Sequence, residues 1–264
     1  MSEMHAARET GDRPVEPLFL PARPLDMAAP FRWLRKGWSD MMRAPLPSMA
    51  YGIAVVLFFY LLAWLVWDGG NTVALFSLVV AFILAGPLLA FGLYSISRQL
   101  ERGQKPRLGV CLRESRHQLR NELLFAIVLL VVLLIWARAA TMVNIFAPIN
   151  EEDGLLGIVQ YLLIGSAVGS IFAAIVFSIS VVSLPMMLDR ETDAITAALT
   201  SINAVLKNKG PMLLWALIII TLMVIGLATF LLGLALVLPL LGHATWHAYR
   251  ETVWPPGAAE APVE

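Results

Sequence analysis

The sequence is poor in the residues that most enzyme chemistry needs. One cysteine, Cys111, among 264 residues excludes an internal disulfide and a clustered thiolate metal site. No H-E-x-x-H, Walker-type loop or cysteine pair occurs, and "GSAVG" from Gly165 lacks the spacing of a nucleophile elbow, so no enzyme is expected. Charge is scarce as well: 14% of residues carry one, and 19 basic residues cancel 19 acidic ones, which excludes a general basic surface for nucleic acid. The first thirty residues hold no apolar run long enough for a signal-peptide core.

What the chain does have is apolar length. It is 59% hydrophobic, with a mean hydropathy of +0.76, which places it among integral membrane proteins. A crossing helix needs about 20 mostly apolar residues. Met49 to Trp67, Thr72 to Ile96, Leu123 to Phe146 and Leu155 to Leu188 each supply them, and Pro211 to about His247 supplies a double length. That last block is expected to split near Ala228 and Thr229, where Gly226 and Gly233 would relax a turn; unsplit, it would leave five spans. Polar breaks at "DGGN" and "APINEEDG" separate the earlier blocks.

Basic residues cluster on one side of this plan. Arg32, Arg35, Lys36 and Arg43 precede the first block, seven more arginines and lysines lie between the second and third, and Lys207 and Lys209 precede the last. The positive-inside rule makes these segments cytoplasmic and, with six spans, both termini too. Arg138, inside the third block, is read as snorkelling.

The expected fold is therefore an all-α membrane protein: six transmembrane helices as three hairpins, each preceded by an amphipathic interfacial helix. Residues 1–30 and 251–264 are expected to be disordered tails around a membrane domain spanning 31–250. The interfacial stripes would be Phe31, Leu34, Trp38 and Met41; then Leu108, Leu112, Ser115 and Leu119; then Ile195, Leu199, Ile202 and Leu206. "PLLAFGLYSISR" from Pro87 aligns without gaps on "PLLGHATWHAYR" from Pro239, and Pro185 opens a shorter match, which suggests three tandem units.

In that alignment His243 and His247 replace Phe91 and Ser95, so the scaffold does not require histidine there. Four residues apart, the pair shares a helix face and could give two ligands to Zn or Cu, with further ligands needed from elsewhere. The competing reading places them with Trp246, Tyr249 and Arg250 in a belt at the lipid interface, to which Arg32, Arg35, Lys36 and Trp38 also belong. No cofactor is expected. On the fourth block, Gly165, Ser166, Gly169 and Ser170 form a small-residue face suited to helix packing, with a polar solute path as the sharper alternative.

The stretches "SLPMMLDRETDAITAALTSINAVLKNKGPMLLWALIII", "VLPLLGHATWHAYR" and "GPLLAFGLYSISRQLERG" resemble a bacterial family of integral membrane proteins with a domain of unknown function, some of them labelled cytochrome c oxidase subunits. The resemblance runs from about Phe31 to Arg250 and implies a bacterial inner membrane, but carries no established activity. Four histidines cannot furnish the haem and copper ligands of a catalytic oxidase subunit, so only an accessory role fits that label. The expected function is non-enzymatic: contact with membrane lipid, or partnership with another inner-membrane complex. A transporter or channel for a small neutral solute is the alternative.

Overall fold

The computed structural model describes residues 19–68, 89–146, 154–190 and 192–254, apart from the side chains of 66–68, 112, 114–119, 144, 146 and 158. The "DGGN" turn after Asp68, most of the second apolar block and the acidic loop before Gly154 lie outside these residues. Nine helices make up the described fold: α1 (Ala29–Arg43), α2 (Pro45–Asp68), α3 (Phe91–Glu101), α4 (Leu108–Phe146), α5 (Gly154–Ser180), α6 (Ser183–Arg190), α7 (Ala194–Lys207), α8 (Lys209–Ala228) and α9 (Leu234–Thr252). Among the described residues, four stretches are long and apolar enough to cross a membrane: Pro45–Leu65, Arg120–Val143, Gly154–Arg190 and Lys209–Ala228.

The long C-terminal block does break. Residues 229–233 form a turn in which the Thr229 hydroxyl donates to the Gly226 carbonyl and accepts the Gly233 amide, both at 2.7 Å. The left-handed backbone falls on Phe230 and Leu231, at φ 52° and 70°, rather than on either glycine. Gly226 and Gly233 serve proximity instead: a Cβ on Gly226 would collide with Leu234, and one on Gly233 would lie 2.6 Å from Thr229 Oγ1.

Helix α9 is the hub. Its buried residues, from Leu234 and Val237 through Pro239, His243 and Trp246 to Tyr249, fall on every side, as expected of a helix surrounded by others. It packs on α1, α2 and α3, and its neighbours come close where glycine allows. A Cβ on Gly37 of α1 would sit 2.6 Å from Ala244 N, one on Gly52 of α2 would strike the Ala235 carbonyl, and one on Gly242 would lie 2.6 Å from Leu93. Small residues at helix crossings are how membrane helices gain van der Waals contact when lipid is as apolar as any side chain.

Two of the expected interfacial stripes, whose apolar sides could face either lipid or the bundle, turn most of their large residues outward, Met41 excepted. In α1 the inward side is Ala29, Trp33, Gly37, Asp40 and Met41, while Phe31 and Trp38 are exposed. In α7 the inward side is Ala194, Ala197, Thr200, Ser201 and Ala204, and Ile195 and Leu206 are 70% and 60% exposed. The second expected interfacial helix is not a separate element: Leu108 begins α4, which runs unbroken to Phe146. Conversely, the fourth block breaks at Val181 and Val182, where Ser201 Oγ accepts the Val182 amide at 3.2 Å and the Ser183 hydroxyl donates to the Ala197 carbonyl at 3.0 Å.

α7 starts on a well-formed cap. Asp193 Oδ1 accepts the amides of Ile195 and Thr196, each at 3.0 Å. Those bonds, led by the one from Thr196, hold the carboxyl below its ordinary range, so the cap survives until pH falls through that lowered value. Asp193→Ala should lower stability by about 1 kcal/mol, read as a lower midpoint in thermal unfolding in detergent.

The packed body begins before residue 31. Leu20 and Leu25 donate their amides to Thr200 Oγ1 (3.0 Å) and Asn208 Oδ1 (2.8 Å), while Asn208 Nδ2 donates back to the Arg23 carbonyl at 2.9 Å. Ala22 forms an antiparallel bridge with Val253, the Arg23 amide donates to the Thr252 carbonyl at 2.7 Å, and the Arg23 guanidinium lies 4.5 Å over Trp254. Residues 19–30 and 251–254 are thus clasped together rather than free tails; 1–18 and 255–264 lie outside the described residues.

Candidate functional site

Where α9 meets α1, α2 and α3, a line of polar side chains runs through the apolar core. Buried Asp40 comes from the inward face of α1, Ser48 from the first turn of α2, Ser97 from α3, and His243 and His247 from successive turns of α9. Ser48 Oγ lies 2.9 Å from His243 Nε2, and Ser97 Oγ lies 2.7 Å from His243 Nδ1. The Ser97 hydroxyl donates to Asp40 Oδ2 at 2.9 Å, and His247 Nε2 meets the same oxygen at 2.8 Å. Four of these five residues are buried; the His247 side chain, 18% exposed, is the one that reaches outward. Burial pushes the Asp40 carboxyl up, but the His247 hydrogen bond and charge, with the Ser97 hydroxyl and the His243 charge, outweigh it and hold the carboxyl below its ordinary value.

A second polar layer flanks the line. Arg250 pairs with Glu101 (2.9 Å) and Asp189 (3.1 Å); Trp246 Nε1 donates to Glu101 at 2.9 Å. The Tyr249 hydroxyl donates to Asp189 at 2.7 Å and accepts from Arg190 Nε at 2.8 Å. Arg32 bridges Asp26 and Glu251, and Trp33 Nε1 donates to Glu251 at 3.0 Å.

These contacts place the expected site residues. Trp246 and Tyr249 are in the interior, not on a lipid-facing belt, and Arg250 and Arg32 are held in ion pairs. Arg35, Lys36 and Trp38 are exposed on α1. For a metal, His243 has a serine on each ring nitrogen and His247 Nε2 is on Asp40; among the described residues no three His, Cys, Asp or Glu side chains converge on one point. His5 and the His117 side chain are outside that set.

The small-residue face of α5 meets little among the described residues. Gly165 has open space where a Cβ would go, Gly169 has only Trp136 Nε1 at 3.9 Å, Ser166 is exposed, and the exposed Ser170 hydroxyl donates to its own helix at Ala167. Arg138 is exposed on α4.

Asp40, Ser48 and Ser97 were not among the residues singled out from sequence. The available signal was the spacing of Trp33, Gly37, Asp40 and Ala44, which puts an acid on the same stripe as a close-packing glycine.

One comparison with known proteins bears on identity: the model of a family described as a predicted integral membrane protein, DUF2189, covers residues 75–189. Over that stretch the chain matches DUF2189. The region takes in "GPLLAFGLYSISRQLERG" and ends at Asp189, early in the resembling stretch that begins at Ser183, so α3 to α5 and all of α6 but Arg190 lie within it and α1 and α9 outside. Of the polar line, the DUF2189 region holds Ser97 alone. No curated protein and no solved structure matches the chain. With its apolar helices, the DUF2189 match makes this an integral membrane protein with several spanning helices.

Proposed function

We propose that the protein is a non-enzymatic component of a bacterial inner membrane that works through contact with anionic lipid, with α1 lying on the cytoplasmic surface. The observation that carries this reading is the outward face of α1, where exposed Phe31, Trp38 and Met42 alternate with exposed Arg35, Lys36 and Arg43. Aromatic and methionine side chains suit the acyl boundary, and the basic heads suit anionic headgroups. Trp33, Gly37 and Asp40 hold the opposite face against α9, which fixes that presentation. Six crossings, with both ends cytoplasmic, complete the reading; the clasp between residues 20–25 and 252–254 supports an even number by bringing the two ends of the described chain together.

A basic residue near an anionic surface contributes about 1 kcal/mol. Arg32 is committed to Asp26 and Glu251, so the clean test reverses Arg35 and Lys36 only. Arg35→Glu with Lys36→Glu should cut co-purifying anionic phospholipid by roughly tenfold or more, measured by lipid mass spectrometry of protein extracted in mild detergent. Unchanged lipid in a folded variant would refute the reading. Partnership with another membrane complex is the second non-enzymatic route, and its subunits would be found in the same preparation.

A further inference from the structure

The donor and acceptor capacities of these groups allow every proton in the buried line to be assigned. An ionised Asp40 can only accept, so Ser97 Oγ–H and His247 Nε2–H both donate to its Oδ2. Ser97, having used its single proton, must accept from His243 Nδ1–H. A neutral His243 then has a bare Nε2, which accepts from the Ser48 hydroxyl. The line therefore has one direction, running from Ser48 to Asp40, and holds one buried basic lone pair, on His243 Nε2.

We propose that His243, set between the Ser48 and Ser97 hydroxyls with the Asp40 carboxylate one hydroxyl away, is a buried proton-binding site joining four helices. One proton adds to Nε2. The Ser48 hydroxyl turns about its Cβ–Oγ bond, its oxygen accepts the new N–H, and its own hydrogen goes to the Ala44 carbonyl one turn back, which already accepts the Ser48 amide. Nδ1–H stays on Ser97, and the imidazolium charge faces Asp40 through that hydroxyl. No heavy-atom bond forms or breaks.

Two hydroxyls are what make this a binding site rather than a packed core histidine. A backbone carbonyl can serve only a protonated ring nitrogen and an amide only a bare one, whereas a hydroxyl serves either. The charged groups facing His243 are Asp40 from α1 and His247 from its own helix. α2 and α3 present Ser48 and Ser97. Of the other titratable groups of these elements, Tyr94 is buried in the apolar core, Tyr51 donates to the Leu89 carbonyl, Arg98 to the Leu188 carbonyl, Glu101 holds Trp246 and Arg250, Tyr249 is on Asp189, Arg32 is on Asp26 and Glu251, and Arg35, Lys36 and Arg43 are exposed. Partly exposed His247, bonded to Asp40, connects the line to the outside.

The test uses the full chain in lipid nanodiscs with ring-15N histidine, the His243 signals being those lost in His243→Gln. At neutral pH the expected pattern is a protonated Nδ1 and a bare Nε2; on acidification Nε2 gains a proton while Nδ1–H and the helical circular dichroism persist. Asp40→Asn should reduce the doubly protonated fraction at a fixed acid pH about tenfold, the loss expected when an opposite charge at short range is removed. Ser97→Ala should move the neutral ring's proton to Nε2. Wild-type protein alone can overturn the proposal: a proton resting on Nε2 at neutral pH, or no second protonation before helicity is lost, would do so whatever the variants show.

Discussion

Gly37→Leu is expected to unseat α1 and to lower the thermal midpoint of the protein far more than any surface change. The Cβ alone would lie 2.6 Å from Ala244 N and 2.9 Å from Ala244 Cα, and these are backbone atoms of a helix surrounded on every side. They cannot swing away as a side-chain end would. Overpacking of this kind costs roughly 1–3 kcal/mol, so Gly37→Ala should show it in part and leucine at or beyond the upper end. Gly165→Ala is the control. No described residue lies within 4 Å of that Cβ position, and exchanging a helical glycine for alanine gains up to about 1 kcal/mol, so its midpoint should hold or rise. Equal losses at both glycines would mean that close approach to α9 is not what Gly37 provides.

Asp40→Ala should be the most damaging single change in the polar line. It removes the one acceptor shared by Ser97 and His247, and breaking a buried charged pair by taking away one partner costs about 3–5 kcal/mol. Asp40→Asn keeps the shape and one acceptor oxygen and should lose less. Chemical unfolding in detergent, followed by tryptophan fluorescence, would rank them, and an alanine variant as stable as wild type would show that water takes over both donors. The pH dependence has a definite sign. The Asp40 carboxyl is held below its ordinary value, so its stabilisation is present at neutral pH and is lost as pH falls through that lowered value. Asp40→Asn should flatten that acid limb.

Much of the architecture could be read directly from composition and spacing. Among the described residues, the first, third, fourth and last apolar blocks and the split after Ala228 follow from the length a helix needs and the residues that end one. Orientation about the helix axis was not legible in the same way. The rule that large apolar residues mark the buried face holds in water, whereas on α1 and α7 the glycine, alanine, serine and threonine side packs inward, and Phe31, Trp38, Ile195 and Leu206 face out. Spacing could also flag His243 and His247 as sharing a face, but not what that face meets. Ser48 and Ser97 stand 195 and 146 residues away in the chain, and neither has an unusual local sequence. The resemblance to a membrane family is matched over 75–189, which leaves the hub helix outside the matched region.

The position of α9 also sets a schedule. Asp40 meets His247 across 207 residues, and the segment before α1 is bound to Thr200, Asn208, Thr252 and Val253, all late in the chain. At a synthesis rate of about 5–20 residues per second, α1 waits on the order of 10–40 s for its partner to emerge. During that interval α1 is an amphipathic helix with an acid on the face that α9 will cover. A ribosome that stops short of the last helix therefore leaves behind a chain whose first helix has nowhere to dock, and such a product carries its own mark of incompleteness.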